Sequence, residues 1–222
     1  NFVILDRLDD LGGTWYVNHY PGLQCDVPTT TYSYFFEPNP NWSALFSTGA
    51  EIKQYAEDVA DKYDIRRHIR FNTTVEGARW DEEAQCWRVA LSDGETLSAQ
   101  YLITATGFLS QPHTPEIAGI HDFEGRVIHT TAWDDSFDPT GKRIGLIGTG
   151  ATAVQCIPSL ARDAGELFVF QRTPSSIDVR NNHPIDPDCP IRRQVIPRIE
   201  ESFEDPDELA DPCGEDSHMP VP

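Results

Sequence analysis

The chain has 222 residues, enough for one large domain or two small ones with a real core. Its formal net charge of −19 makes nucleic acid and anionic membranes poor partners. Apolar content of 39% suits a soluble globular protein, and no stretch approaches the roughly 20 apolar residues that a membrane span needs.

The first ten residues, NFVILDRLDD, carry no basic region followed by an apolar one, so no signal peptide is expected. They also lack Met and start inside an apolar run, the pattern of a chain cut in mid-fold. Phe2–Asp6 reads as a short buried parallel strand ending in an acid. LGGTW breaks it, and residues 16–46, rich in Pro, Asn and aromatics, read as irregular. The next segment, STGAEIKQYAEDVADKY, predicts a helix. Thr48 and Glu51 have capping-box spacing, and Ile52, Tyr55, Ala56, Val59, Ala60 and Tyr63 share one face. From Phe71 to Ile103 the pattern is β: TTVEGARW, CWRVAL and ETLSAQYLIT, with SDGE as a hairpin turn. The run ITATG then leaves the sheet through Gly107.

The stretch RIGLIGTGATAVQCIPSLARDAGELFVFQR predicts a strand, a glycine turn, a helix and a second strand, a βαβ unit. Gly148-Thr149-Gly150-Ala151-Thr152-Ala153 is the GxGxxA form of the dinucleotide fingerprint. Gly148 permits the tight turn, Gly150 lets the backbone approach a pyrophosphate, and Ala153 lets helix and strand pack closely. Gln171-Arg172-Thr173 follows the second strand, where an NAD site would place an acid. Arg172 pairs with a 2′-phosphate and so points to NADPH.

Asp6 holds the equivalent place after the first strand. There it suits an adenosine ribose, implying a second cofactor with FAD as the usual companion; taken alone it reads equally well as a surface acid. Thr106-Gly107 fits a second backbone approach to a dinucleotide, or a plain strand-to-loop glycine. The five cysteines (25, 86, 156, 189 and 213) form no CxxC and no zinc-ligand spacing. They are expected to be reduced thiols of a cytoplasmic protein, with no metal bound. Residues 183–222 hold 8 of the 17 prolines and 11 of the 36 acids, and are expected to form an acidic, Pro-rich, disordered tail.

Between Gly107 and the glycine loop stands FEGRVIHTTAWDD, with Phe123, Gly125, His129 and Trp133 at offsets of two, four and four. This motif resembles the FxGxxxHxxxW fingerprint of the type I flavin-dependent Baeyer–Villiger monooxygenases, and Gly12–Asp26 (GGTWYVNHYPGLQCD) resembles a second motif of that family. ATGFLSQPHTP and IGTGAT…QRTP match as well, so that the resemblance spans about residues 1–187. Trp133 favours that branch over N- or S-oxidising flavin monooxygenases, which usually carry Tyr or Phe there. A non-catalytic nucleotide-binding remnant is the reading from a different class.

The resemblance implies an α/β fold of two Rossmann-like dinucleotide-binding domains, for FAD and for NADPH, both incomplete. The expected division is a partial FAD-binding domain over 1–110, a linker with the fingerprint over 111–141, a partial NADPH-binding βαβ unit over 142–182, and the tail. It implies a reaction of a small-molecule ketone with O2 that gives an ester or lactone. Asp6 would bind the FAD ribose. Thr14, Trp15, Tyr16, Val17 and Tyr32 would line the flavin, with Val75 near the adenine. Gln24 and Cys25 would flank the nicotinamide side, and Asp26 would hold an active-site arginine, the one catalytic role transferred. Thr149, Gly150, Ala151, Thr152, Ala153, Val154 and Gln155, with Arg172 and Thr173, would bind NADPH. His129 is expected to organise the linker through its ring rather than to act as a base. Val17 and His19 depart from the family's usual Trp and Arg. The arginine that Asp26 would hold belongs to a downstream KR motif that Arg192 and Arg193 do not match.

Overall fold

The computed structural model describes residues 1–107, 109 and 111–186, a mixed α/β chain in two compact units. The expected tail lies outside these residues apart from 183–186.

The first unit comprises residues 1–19 and 53–133. It contains β1 (Ile4–Leu5), the single helical turn α1 (Thr14–Val17) and most of α2 (Gly49–Lys62), followed by β2 (Ile69–Arg70), β3 (Val75–Asp81), β4 (Cys86–Leu91) and β5 (Thr96–Ala99). The expected helix is α2. Tyr55, Val59 and Ala60 of its apolar face are buried, as is Ile52 just before them, whereas Tyr63 at the C-terminal end is exposed. Half of the capping box forms. The Glu51 amide donates to Thr48 Oγ1 at 3.3 Å, but the Glu51 carboxylate turns away to accept from the Ser43 amide and hydroxyl at 2.7 and 2.6 Å.

β3, β4 and β5 form the expected antiparallel meander, joined in part by the SDGE turn, in which Gly94 takes φ +89° and its amide donates to Leu91 O at 3.0 Å. Val89 and Leu91 bury one side of β4. The third strand is shorter than expected: pairing ends at Ala99, and Ile103 is 88% exposed. The first strand also differs from expectation. Ile4 and Leu5 pair in parallel with Ile69 and Arg70, but Phe2, Val3 and Ile4 are exposed, because β2 is the only described strand beside β1.

The second unit comprises residues 20–52 and 134–186 of the described chain. It holds β6 (Arg143–Ile147), α3 (Ala151–Asp163) and β7 (Glu166–Phe170), with β6 and β7 parallel and in register from Arg143–Glu166 to Ile147–Phe170. This is the expected βαβ unit. Ala153, Cys156 and Leu160 form the buried stripe of α3, at spacings of three and four. Trp42, Leu45, Ile52 and Ile185 are buried as well. The fully buried Thr29 hydroxyl lies 2.8 and 3.0 Å from the carbonyls of Ala44 and Leu45. His183, Pro184 and Ile185, expected with the tail, instead run against 43–45. Leu45 N–H donates to His183 O at 3.0 Å and Ile185 N–H to Ser43 O at 3.2 Å. No described helix is long and apolar enough to cross a membrane, and no described group of three or more His, Cys, Asp or Glu is placed to hold a metal.

In the first unit Lys53 donates to Asp10 at 2.8 Å and also bonds Glu57, with all three side chains largely shielded. The hydrogen bond from Lys53, and then that from the Leu11 amide, hold the Asp10 carboxyl below its ordinary range; the bonds to Asp10 and Glu57 push Lys53 up. A depressed acid stabilises the fold above its unfolded pKa of about 3.9, and that contribution fades as pH falls through its folded value. A raised lysine contributes below about 10.4 and fades as pH rises through its folded value. Lys53→Met is therefore expected to cost about 1 kcal/mol in urea denaturation at pH 7, and less near pH 2 as the carboxylates protonate. An equal cost at both pH values would mean that the aliphatic stem, not the charge, matters.

Candidate functional site

β6 ends in the glycine loop. Gly148 takes φ +111°, a conformation that a side chain would strain, and its amide donates to Phe170 O at 2.9 Å, tying the loop to the end of β7. Gly150 is the N-cap of α3, with ordinary φ −75° and no side-chain capping bond. A Cβ added at Gly150 would meet no protein atom within 4 Å. The fold itself therefore does not demand glycine there, and the α3 amino end presents open backbone N–H groups, which suits close approach by an anion. Thr149 Oγ1 lies 3.1 Å from Ser175 Oγ and 3.5 Å from Gln171 Nε2, which orders the loop across the carboxyl ends of both strands. Arg172 and Thr173 stand exposed just past β7, and the Arg172 guanidinium makes no ion pair or hydrogen bond with a described residue. These residues fit a dinucleotide carrying a 2′-phosphate.

Further along α3, Gln155 turns the other way. Its Oε1 accepts from Tyr20 OH at 3.0 Å and from the Gln24 amide at 3.1 Å; its Nε2 donates to Gln24 O at 3.2 Å and to Asp26 Oδ1 at 2.6 Å. Asp26 Oδ1 also accepts from Arg180 Nη2 at 2.6 Å, while Arg180 Nη1 donates to Cys25 O at 3.0 Å. The Arg180 guanidinium lies over the Phe46 ring, 5.0 Å from its centroid. Burial raises the Tyr20 hydroxyl and the Cys25 thiol, and pushes the Cys156 thiol to about 11. Near pH 7 Tyr20 is therefore a donor, and Cys25 and Cys156 are neutral thiols rather than nucleophiles.

The remaining sequence-derived residues divide between the units. In the first unit, Asp6 Oδ1 accepts from the Leu8 amide at 3.0 Å, and its carbonyl accepts from the Thr73 amide at 2.8 Å. That brings Asp6 beside the approach to Val75, the exposed first residue of β3. Thr14, Trp15, Tyr16 and Val17 make up α1, with Lys53 Nζ 5.4 Å from the Tyr16 ring centroid. Tyr32 belongs to the second unit and follows the short Thr29–Thr31 turn, partly exposed.

The fingerprint has a local physical basis. The Phe123 ring folds over Gly125, in the space where any Cβ would stand. His129 Nδ1 accepts from the Thr131 amide at 3.1 Å, and His129 O accepts from the Ala132 amide at 2.9 Å. An accepting Nδ1 places the proton of the neutral ring on Nε2. After Trp133, Asp134 closes a turn by accepting from the Ser136 amide and hydroxyl at 2.9 and 2.6 Å.

Sequence reasoning did not single out Arg180 or the hydrogen-bonding role of Tyr20. Tyr20 stood inside the recognised YPG motif, but Arg180 lies 154 residues from Asp26 in no motif, and only the fold brings the two together.

The chain belongs to the pyridine nucleotide-disulphide oxidoreductase family, whose pattern it matches over residues 29–209. Within its relatives the similarity is to Baeyer-Villiger monooxygenases. It is 44% identical over 175 residues to one from Streptomyces coelicolor, covering 79% of this chain and 34% of that protein. It is 43% identical over 201 residues to one from Stachybotrys chlorohalonatus, covering 84% and 32%. The crystal structure of OTEMO in complex with FAD and NADP superimposes with a TM-score of 0.81 at 39% identity, over 87% of this chain and 39% of that one. The chain thus spans about a third of the length of the curated relatives it matches.

The loop 20–26 presses closely on α3. Gly22 has φ +85°, and a Cβ there would overlap the Gln155 carbonyl oxygen. Gly22→Ala is expected to cost about 2 kcal/mol or more, from left-handed strain and backbone overlap together. Chemical denaturation measures it, and a cost below about 0.5 kcal/mol would show that the loop is not held against the helix.

Proposed function

We propose that the chain is part of an FAD- and NADPH-dependent monooxygenase that inserts one oxygen atom of O2 next to a ketone carbonyl, giving an ester or lactone. It carries portions of two Rossmann-like nucleotide-binding domains. The observation that carries this reading is the glycine loop with an open face at Gly150, joined to an arginine after β7 that pairs with none of the described residues. Similarity to Baeyer-Villiger monooxygenases supports the reaction class. The three described cysteines are free thiols, which suits a cytoplasmic setting.

NADPH supplies the hydride and FAD the oxygen-activating chemistry; the residues of this chain bind and orient. The amides opening α3 take the pyrophosphate, with Thr149–Val154 lining its path, and Arg172 with Thr173 takes the 2′-phosphate. Asp6 accepts the ribose hydroxyls of FAD, α1 faces the flavin, and Val75 borders the adenine. Gln24 and Cys25 flank the nicotinamide. Asp26 fixes an arginine whose permanent charge stabilises developing negative charge without giving up a proton. Phe123, Gly125, His129 and Trp133 shape the connection leading to the NADPH loop.

Two variants of the chain test the assignment by calorimetry. Gly150→Ala has no steric conflict within the protein and is expected to leave stability within about 0.5 kcal/mol, while weakening NADP⁺ about tenfold or more by blocking backbone approach. Arg172→Ala is expected to weaken NADP⁺ about tenfold and NAD⁺ hardly at all, because only NADP⁺ carries the phosphate. Unchanged NADP⁺ affinity in both variants would sink the assignment.

A further inference from the structure

We propose that Gln155 and Arg180 are positioning residues that together fix Asp26 and the Tyr20–Asp26 segment, so that Gln155 serves the nucleotide site through that segment rather than by touching the nucleotide with its side chain. The inference rests on the NADPH assignment above and adds to it the means by which one wall of that site is held.

A glutamine amide has two N–H donors and two acceptor lone pairs. In Gln155 all four are used: Oε1 by Tyr20 OH and Gln24 N–H, Nε2 by Gln24 O and Asp26 Oδ1. The side chain is buried, and rotating the amide by half a turn would set Nε2 against the Gln24 N–H, donor against donor. The orientation is thus dictated by the Gln24 backbone, and the amide has no capacity left for a ligand. Pairing both the N–H and the C=O of Gln24 places that residue's backbone on α3 as a neighbouring strand would.

Arg180 completes the clamp from the other side. Its two terminal nitrogens bridge Cys25 O and Asp26 Oδ1, and Phe46 supports its face. Backbone bonds anchor the stretch that carries it. Asn182 exchanges two hydrogen bonds with the Phe46 backbone, at 2.9 and 3.0 Å, and His183 O accepts from the Leu45 amide at 3.0 Å. The fork geometry matters here. A guanidinium reaches a carbonyl and a carboxylate at once, whereas an ammonium is a single charge on a flexible stem. Both donors converge on Oδ1, which fixes the rotation of the Asp26 carboxylate and leaves Oδ2 without a hydrogen bond to the described residues. The half-exposed carboxylate therefore presents one defined oxygen outward, as an aspartate that must hold a further donor in one orientation requires.

The full chain and its Arg180→Gln and Arg180→Lys variants would be titrated with NADP⁺ and with adenosine 2′,5′-bisphosphate, which keeps the adenine and 2′-phosphate but lacks the nicotinamide. Hydrogen exchange at the Gln24 amide would be followed in the same samples. The expected result for Arg180→Gln is a loss of about tenfold in NADP⁺ affinity with bisphosphate affinity unchanged, and Gln24 exchange faster by about tenfold. Arg180→Lys should restore little of either. Equal losses for both ligands, full rescue by lysine, or unaltered Gln24 exchange would each overturn the clamp. If the parent chain binds neither ligand, the NADPH assignment fails, and the exchange rates still decide whether Arg180 holds the segment.

Discussion

The side-chain amide of Gln155 sits where helix α3 meets the 20–26 loop, and each of its hydrogen-bonding positions is filled by that loop. The constraint runs both ways. Gly22 must adopt a left-handed backbone with no side chain for the loop to lie against the Gln155 carbonyl, and Tyr20 must remain a protonated donor, which its burial ensures. Because Gln155 is only a turn beyond the glycine loop, the contact joins the carboxyl edge of β6 to the segment bearing Asp26. Loss of the amide would leave several buried or half-buried polar groups without partners, a cost larger than the bonds' net contribution.

Two levels of rigidity meet at this place. The β6–α3–β7 unit is held by parallel pairing and by the Ala153, Cys156 and Leu160 stripe, so the glycine loop is carried on regular elements. The 20–52 segment has little regular structure, and side-chain bonds fix it instead: the buried Thr29 and Ser47 hydroxyls, the Glu51 carboxylate on Ser43, and the Arg180 fork. An irregular segment ordered in this way can set individual side chains at specific angles, which a strand's fixed alternation does not readily provide.

Much of the fold was legible because it rests on local rules. The βαβ unit follows from an apolar run, a glycine loop and a 3.6-residue stripe. The meander follows from alternation and an SDGE turn. The start of α2 was marked by Thr48, although Glu51 chose Ser43 over the reciprocal capping bond, a choice that depends on residues eight positions away. The strand at Phe2–Asp6 looked buried by composition, but burial depends on neighbours that no local pattern specifies, and β2 alone does not cover it. Within the site, Asp26, the glycine loop and Arg172 could be named because motifs carry them. Arg180 could not, since its partner is 154 residues away and an arginine in PSSIDVRNNHP has no periodic or spacing signature. Gln155 was named as a binding residue from its place in the loop motif, and only the three-dimensional hydrogen bonds reveal which way its amide faces.

The proposed NADPH site lies at the opening of α3 and the end of β7. The most direct test is a backbone amide NMR map of the isotope-labelled chain during NADP⁺ titration. Saturable shifts are expected to concentrate at Gly148–Ala153 and at Arg172–Thr173, with the β3–β5 meander silent. Shifts centred on the meander, or none at saturating nucleotide, would contradict this assignment.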